Sequence, residues 1–232
     1  MSRFAILSIQ ILGIKNVSRG AGLKSVNLVL VLGFISIFGL VSATILTFAP
    51  SAAVGKPLAS LKYPPKLTAV SLQTAQALYH EVATDPEIPW DYPDGCYAKA
   101  EMADIFLEQR GVIAGKVFVK GQIYNTSHWG ESFWLFHVAP LIVVKVSGAV
   151  RPYIIDPFLS KKLVSYAGWL ALVKKNPNTV INKIYFTNRF VYGPQKKYLN
   201  FTHYDTPTLE DMQTVLQQIR IYLAGYSKIP AS

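Results

Sequence analysis

The sequence predicts an α+β domain, helical at first and then a mostly antiparallel sheet, carried behind an N-terminal hydrophobic helix. Three observations predict it. Helical patterns fill the stretch before residue 111, strand patterns rich in aromatic and β-branched residues run through 116–155, and one uncharged apolar run stands apart near the N-terminus. With 232 residues, 51% of them hydrophobic, the chain is long enough to bury a core and too apolar to be disordered.

The apolar run extends from Leu28 to Phe48, twenty-one residues without a charge. At ~1.5 Å per residue it is long enough to cross a ~30 Å hydrocarbon layer as a helix. Arg3, Lys15, Arg19 and Lys24 precede it, so the positive-inside rule keeps the N-terminus cytoplasmic and exports the rest. Ser51 and Ala53 follow it as small residues spaced for a signal peptidase. Residues 1–53 therefore form a signal peptide or a signal anchor. Cleavage would start the mature chain near Val54 and give a secreted or periplasmic protein. Retention would tether it, with the membrane as a partner through residues 28–48. In both cases the body lies outside the cytoplasm.

A net charge of +10 would ordinarily suggest a nucleic-acid partner. Seven of the 23 basic residues precede Glu81, however, and no acidic residue does. The remainder carries 16 basic against 13 acidic groups, so the excess belongs mainly to the N-terminal address and no nucleic-acid partner is expected.

Pro, Gly and Ser punctuate residues 54–66, which read as a linker, and the folded domain spans 67–232. Leu67 to Ala83 has apolar residues at helical spacing and stops before Asp85-Pro86. Glu87 to Gly95 is a loop ending in a Pro-Asp-Gly turn. Cys96 to Arg110 is the clearest helix: it is rich in good formers, Ala100, Ala103 and Leu107 share a face, and Gly111 stops it. Strands follow at Lys116 to Tyr124, Phe133 to Val146 and Val150 to Ile155, the last two joined by a Ser147-Gly148 turn. A helix over Leu163 to Lys174, a strand over Thr179 to Phe186 and a helix over Pro207 to Tyr226 complete the chain. Thr208 and Asp211 stand in capping-box spacing at the last of these.

Three residues carry chemistry. Cys96, the only cysteine, begins a helix directly after a turn. Unpaired N–H groups and the positive end of the helix dipole stabilise an anion there, and the thiolate is the nucleophilic form of cysteine. The same N–H groups would serve an oxyanion hole. His137 is a polar residue in the apolar strand WLFHVAP, and Asp156 ends the next one. If Ser147-Gly148 is a two-residue hairpin turn, paired residue numbers sum to 295, His137 faces position 158, and Asp156 points to the same face. A four-residue loop keeps this parity, whereas a three-residue loop puts the two on opposite faces. Such diagonal neighbours can pair, which makes Cys96, His137 and Asp156 a candidate nucleophile, base and orienting carboxylate.

The segments DYPDGCYAKA (91–100), WLFHVAP (134–140) and IIDPFL (154–159), in this order, resemble those of the bacterial protein-glutaminases. The resemblance implies a transglutaminase- and papain-like core, with the Cys-bearing helix packed on the sheet. It implies hydrolysis of protein-bound glutamine side chains to glutamate and ammonia, with a glutamine-containing protein or peptide as partner and no cofactor or metal. Residue by residue, Cys96 becomes nucleophile, His137 base and acid, and Asp156 orienting carboxylate. Trp90, Tyr92, Trp134 and Phe136 flank them in sequence and would offer apolar walls to the glutamine stem, unless they are ordinary core aromatics. Secreted relatives carry a long pro-region and disulfides, whereas here the segment before Ile88 is short and there is a single cysteine. The resemblance ends near Trp169. A papain-like peptidase or a transglutaminase uses the same triad, and a binding module on a thiol-hydrolase scaffold is the reading from another class. His80, His128 and His203 lack metal-site spacing, and the paired lysines read as solvated surface.

Overall fold

The computed structural model describes residues 66–226. The apolar span at 28–48, most of the linker and the boundary of the N-terminal segment lie outside the described residues. Among the described residues no helix is long and apolar enough to cross a membrane.

The chain enters through a short strand, β1 (Ala69–Ser71), and turns at once into α1 (Leu72–Thr84). Ser71 caps α1 by accepting from the Thr74 N–H at 3.0 Å, a contact worth about 1 kcal/mol. Residues 67–71, expected as the first turn of that helix, instead lead into and form an extended strand. β1 lies parallel to residues 143–145 of a later strand, and the pairing overrides the weak helical signal. The second helix, α2 (Cys96–Gln109), has the expected bounds. It ends where Gly111, at φ +74°, donates back to the Glu108 carbonyl.

The sheet is built around the long β3 (Gly130–Val146), with β2 (Gly115–Ser127) beside it. The remaining strands are β4 (Ala149–Ile154), β5 (Val164–Ser165) and β6 (Val180–Asn188), in the order β5-β4-β3-β2-β6, with β1 added alongside β3. Both β2 and β3 run past their expected ends to meet at a tight hairpin, Ser127 opposite Gly130. Val146 pairs with Ala149 and Leu141 with Ile154, the register that a two-residue Ser147-Gly148 turn demands. Between β2 and β6 the register slips at Gly121, where a Cβ would stand 1.9 Å from the Val180 carbonyl oxygen and only glycine fits.

Alternation along β3 sends successive side chains to opposite faces. Ile142 and Val144 pack with Ala75 and Val82 of α1 and with Ala103 and Leu107 of α2. Ala139 and Leu141 pack with Val117 and Val119 of β2 and, on α3 (Tyr166–Val173), with Trp169 and Val173. Leu163 to Ser165 lies outside that helix, contrary to expectation, because Val164 and Ser165 pair with Ile154 and Tyr153; Ser165 then caps α3 through the Gly168 N–H. After a short 3-10 turn at Lys196–Tyr198, α4 (Thr206–Tyr226) packs on α2 through Met212 and Leu216. The capping-box expectation fails here. Thr208 lies inside the first turn, donating to the Asp205 carbonyl, and Asp211 accepts from the Tyr192 hydroxyl at 2.8 Å.

Candidate active site

The Pro-Asp-Gly turn delivers Cys96 to the first position of α2. Asp94 Oδ1 accepts from the Gly95 N–H at 2.7 Å, and Gly95 takes φ +74°, a left-handed conformation that favours glycine. No side chain caps the helix, so its first-turn amides keep their donor capacity beside a half-buried, free thiol.

His137 occupies the stretch of β3 that β4 no longer covers. The β3–β4 ladder stops at Leu141 and Ile154, and one more bond, from the Ile155 N–H to the Pro140 carbonyl, guides the chain out. Asp156 is the next residue. It reaches back so that the His137 Nε2–H donates to Oδ2 at 2.7 Å, with both side chains buried. The same oxygen accepts from Trp169 Nε1 at 2.7 Å, and Oδ1 accepts from the Leu159 N–H at 3.3 Å. The imidazole is stacked by Trp134 at 4.9 Å and by Trp169 at 5.9 Å between ring centroids.

With Nε2 committed to Asp156, Nδ1 is the nitrogen left for the thiol. Cys96 lies near enough to act on the ring electrostatically and as a hydrogen-bonding group, although by strict geometry Nδ1 has no partner. The Nδ1 nitrogen is thus buried and unpartnered, with Cys96 acting on the ring from nearby. Catalytic hydrogen bonds commonly tighten only when substrate binds.

Burial alone would lower the His137 pKa, but the Asp156 carboxylate and then the Cys96 sulfur outweigh it and hold it up to about 9. Burial would raise the Asp156 pKa, yet His137, Trp169 and the Leu159 amide hold it below the usual carboxylate range. The pair is a buried imidazolium–carboxylate whose carboxylate accepts three hydrogen bonds. It leaves one ring nitrogen free to exchange a proton with the thiol.

The four flanking aromatics separate into two groups. Trp134 stacks on His137 and touches Phe158 edge-on, and Phe136 packs near Tyr97 and Cys96. Trp90 is a core residue whose indole N–H donates to the Val82 carbonyl at 2.9 Å, although its ring also borders a cleft. Tyr92 joins an aromatic cluster with Trp129 and Tyr222. The cleft, about 470 Å³, is lined by Trp90, Asp91, His128, Phe158, Leu159 and Lys175 among others; it adjoins the Asp156 loop without touching the triad itself.

Two residues of the site escaped sequence reasoning. Trp169 appears only as the centre of a helix, and a buried indole N–H in need of an acceptor was the available signal. Lys99 lay unremarked inside the DGCYAKA segment. It is 2% exposed, its Nζ donating to the Tyr92 carbonyl at 2.6 Å.

Residues 74–173, a stretch that contains Cys96, His137 and Asp156, match the model of a family described as glutaminases. Over this stretch, less than half of its length, the chain is similar to that family. Several solved structures resemble the chain. The NMR structure of protein-glutaminase from Chryseobacterium proteolyticum is 25% identical with a TM-score of 0.59, over 71% of this chain and 95% of that one. A crystal structure of protein-glutaminase is 24% identical with a TM-score of 0.57, over 66% of this chain and 89% of that one. A crystal structure of pro-protein-glutaminase is 24% identical with a TM-score of 0.58, covering 71% of this chain but 63% of that longer one. The last two speak for the fold alone. No curated protein sequence matches this chain. The protein-glutaminase likeness agrees with the α+β expectation.

Proposed function

We propose that this protein-glutaminase relative deamidates glutamine side chains in proteins through a Cys96 thioester. The observation that carries the reading is the buried His137–Asp156 pair, with its free ring nitrogen next to the Cys96 sulfur at an uncapped helix start. In this mechanism the Cys96 sulfur attacks the γ-carboxamide carbon and an S–C bond forms. The oxyanion collects against the first-turn amides of α2. His137, protonated at neutral pH, gives its proton to the departing nitrogen as the C–N bond breaks and ammonia leaves. It then takes a proton from water, which attacks the thioester. The C–S bond breaks, and glutamate and the thiol are released. Asp156 keeps Nε2–H in place throughout, so the reacting proton travels on Nδ1. Trp134 and Phe136 would flank the glutamine stem, and the cleft beside Phe158 would receive neighbouring residues of the substrate polypeptide.

Intact mass spectrometry of a glutamine-rich protein after incubation tests the proposal. A gain of about one dalton per modified site together with free ammonia is expected, and both should vanish in Cys96→Ala. Fragments would mean a peptidase and cross-links a transferase, and activity surviving in Cys96→Ala would sink the assignment.

The address is also a proposal. Residues 28–48 carry the catalytic domain, residues 67–232, out of the cytoplasm, as a cleaved leader or as an anchor. N-terminal sequencing of the membrane and exported fractions separates a mature start near Val54 from an uncleaved chain. Recovery only in the cytosol would refute both.

A further inference from the structure

Lys99 sits one helical turn beyond Cys96 and is 2% exposed. Burying an ammonium costs several kcal/mol unless its surroundings compensate. Its hydrogen bond goes to a neutral acceptor, the Tyr92 carbonyl, and among the described residues no carboxylate is within ion-pair distance of it. The ammonium stands over the Phe158 ring at 5.5 Å and the Trp90 ring at 5.9 Å. These contacts join three segments that meet at the site: α2, the loop leading into Cys96, and the loop leaving Asp156. The titratable groups that act on it electrostatically are Cys96, Asp156, Asp94 and Asp91.

The reactive groups themselves show why a cation belongs there. A thiolate at Cys96, an imidazolium at His137 and a carboxylate at Asp156 sum to one surplus negative charge inside a largely buried site. Like charges held together in such surroundings disfavour ionisation. One ammonium on the helix face that carries Cys96 cancels the surplus.

We infer that Lys99 is a positioning residue: its ammonium is the fourth charge of the site and holds Cys96 in the thiolate form against the carboxylate of Asp156. This rests on Cys96 being the nucleophile. Burial pushes the Lys99 pKa down to about 8, while Cys96 and the carboxylates hold it up. The cation is thus retained at neutral pH because the anions are present.

The test is the pH dependence of Cys96 alkylation by iodoacetamide in the full chain, compared among wild type, Lys99→Met and Lys99→Arg. Lys99→Met keeps the apolar stem and removes the charge, so its alkylation midpoint should rise by about one pH unit or more, the effect of one nearby charge. Lys99→Arg should return the midpoint to the wild-type value. A folded Lys99→Met protein with an unmoved midpoint would overturn the inference and leave Lys99 as a pin for the Tyr92 loop. If the substitution prevents folding, coupling between the two groups can be read from the other side, because it is reciprocal. The NMR titration midpoint of the Lys99 side chain should then fall in Cys96→Ala, and an unchanged midpoint overturns the inference equally. Failure of the nucleophile assignment looks different: wild-type protein alkylated at Cys96 would still release ammonia.

Discussion

At the residue scale the site depends on one proton. His137 has an ordinary value near 6.5 in an unfolded chain and is held up to about 9 in the fold. Its folded pKa is raised, so the folded protein binds this proton more tightly than the unfolded chain does. The stability it contributes is complete below about pH 6.5 and is lost as pH rises through about 9. In the proposed mechanism the chemistry follows the same proton, because a neutral His137 could not protonate the leaving nitrogen. Ammonia release should therefore fall as pH rises through about 9, measured as kcat/KM at constant ionic strength. Activity that keeps rising beyond pH 10 would show that another group supplies the proton. Trp169 is the partner that the sequence hides. Its indole N–H and the imidazole share Asp156 Oδ2; a tryptophan in an apolar helix signals that its N–H needs an acceptor, but the local pattern does not say which one.

At the element scale the start of α2 is held from two sides. Gly95 is in the left-handed region at φ +74°, and a Cβ there would stand 2.7 Å from Ile219 Cδ1 of α4. Gly95→Ala should therefore cost about 1–2 kcal/mol from backbone strain, with further loss from overpacking. It should also reduce kcat by displacing the first-turn amides beside Cys96. Adding Ile219→Val removes the Cδ1 contact and should recover part of the stability but not the backbone term, as read from urea unfolding of the single and double variants. Full recovery would mean that packing alone selects glycine. The same elements show what sequence reading can reach. The Cys96 helix, the Ser147-Gly148 hairpin and the parity that brings Asp156 to His137 were legible because each follows from local chemistry: a breaker, a two-residue turn and the period of two. β1 and β5 were not legible. Three residues against β3 and two against β4 are strands only because a partner is present, and that information is non-local. The capping-box spacing at Thr208 was misleading for a related reason. The helix had already begun, and the Tyr192 hydroxyl had claimed Asp211.

At the scale of the whole molecule, α2 is where the helical layer meets the sheet, and the meeting point is charged. Lys116 of β2 is fully buried; its Nζ donates to Glu101 Oε2 and to the Arg189 and Val191 carbonyls, at 2.8 Å and 3.1 Å for the carbonyls, and lies 3.6 Å from Asp104 Oδ2. Two carboxylates thus share one ammonium below the helix that presents Cys96 and Lys99. Burial raises the pKa of Glu101 and raises that of Asp104 well above its ordinary value, with Lys116 acting against the rise in both. Removing one partner of a buried ionic group leaves uncompensated charge, at a cost of about 3–5 kcal/mol. Lys116→Met should be destabilised on that scale at pH 7.5. The stranded carboxyls can escape by taking protons, which the folded state then binds more tightly than the unfolded chain. Stability of the variant should consequently rise as pH falls towards about 5, and its deficit against wild type should shrink. Thermal unfolding of Lys116→Met between pH 5 and 8, beside a Lys116→Met/Glu101→Gln/Asp104→Asn triple variant, measures this directly. The triple variant should show a flatter pH dependence. A Lys116→Met deficit that does not vary with pH would mean that lost packing around the lysine stem, rather than stranded charge, joins α2 to the sheet.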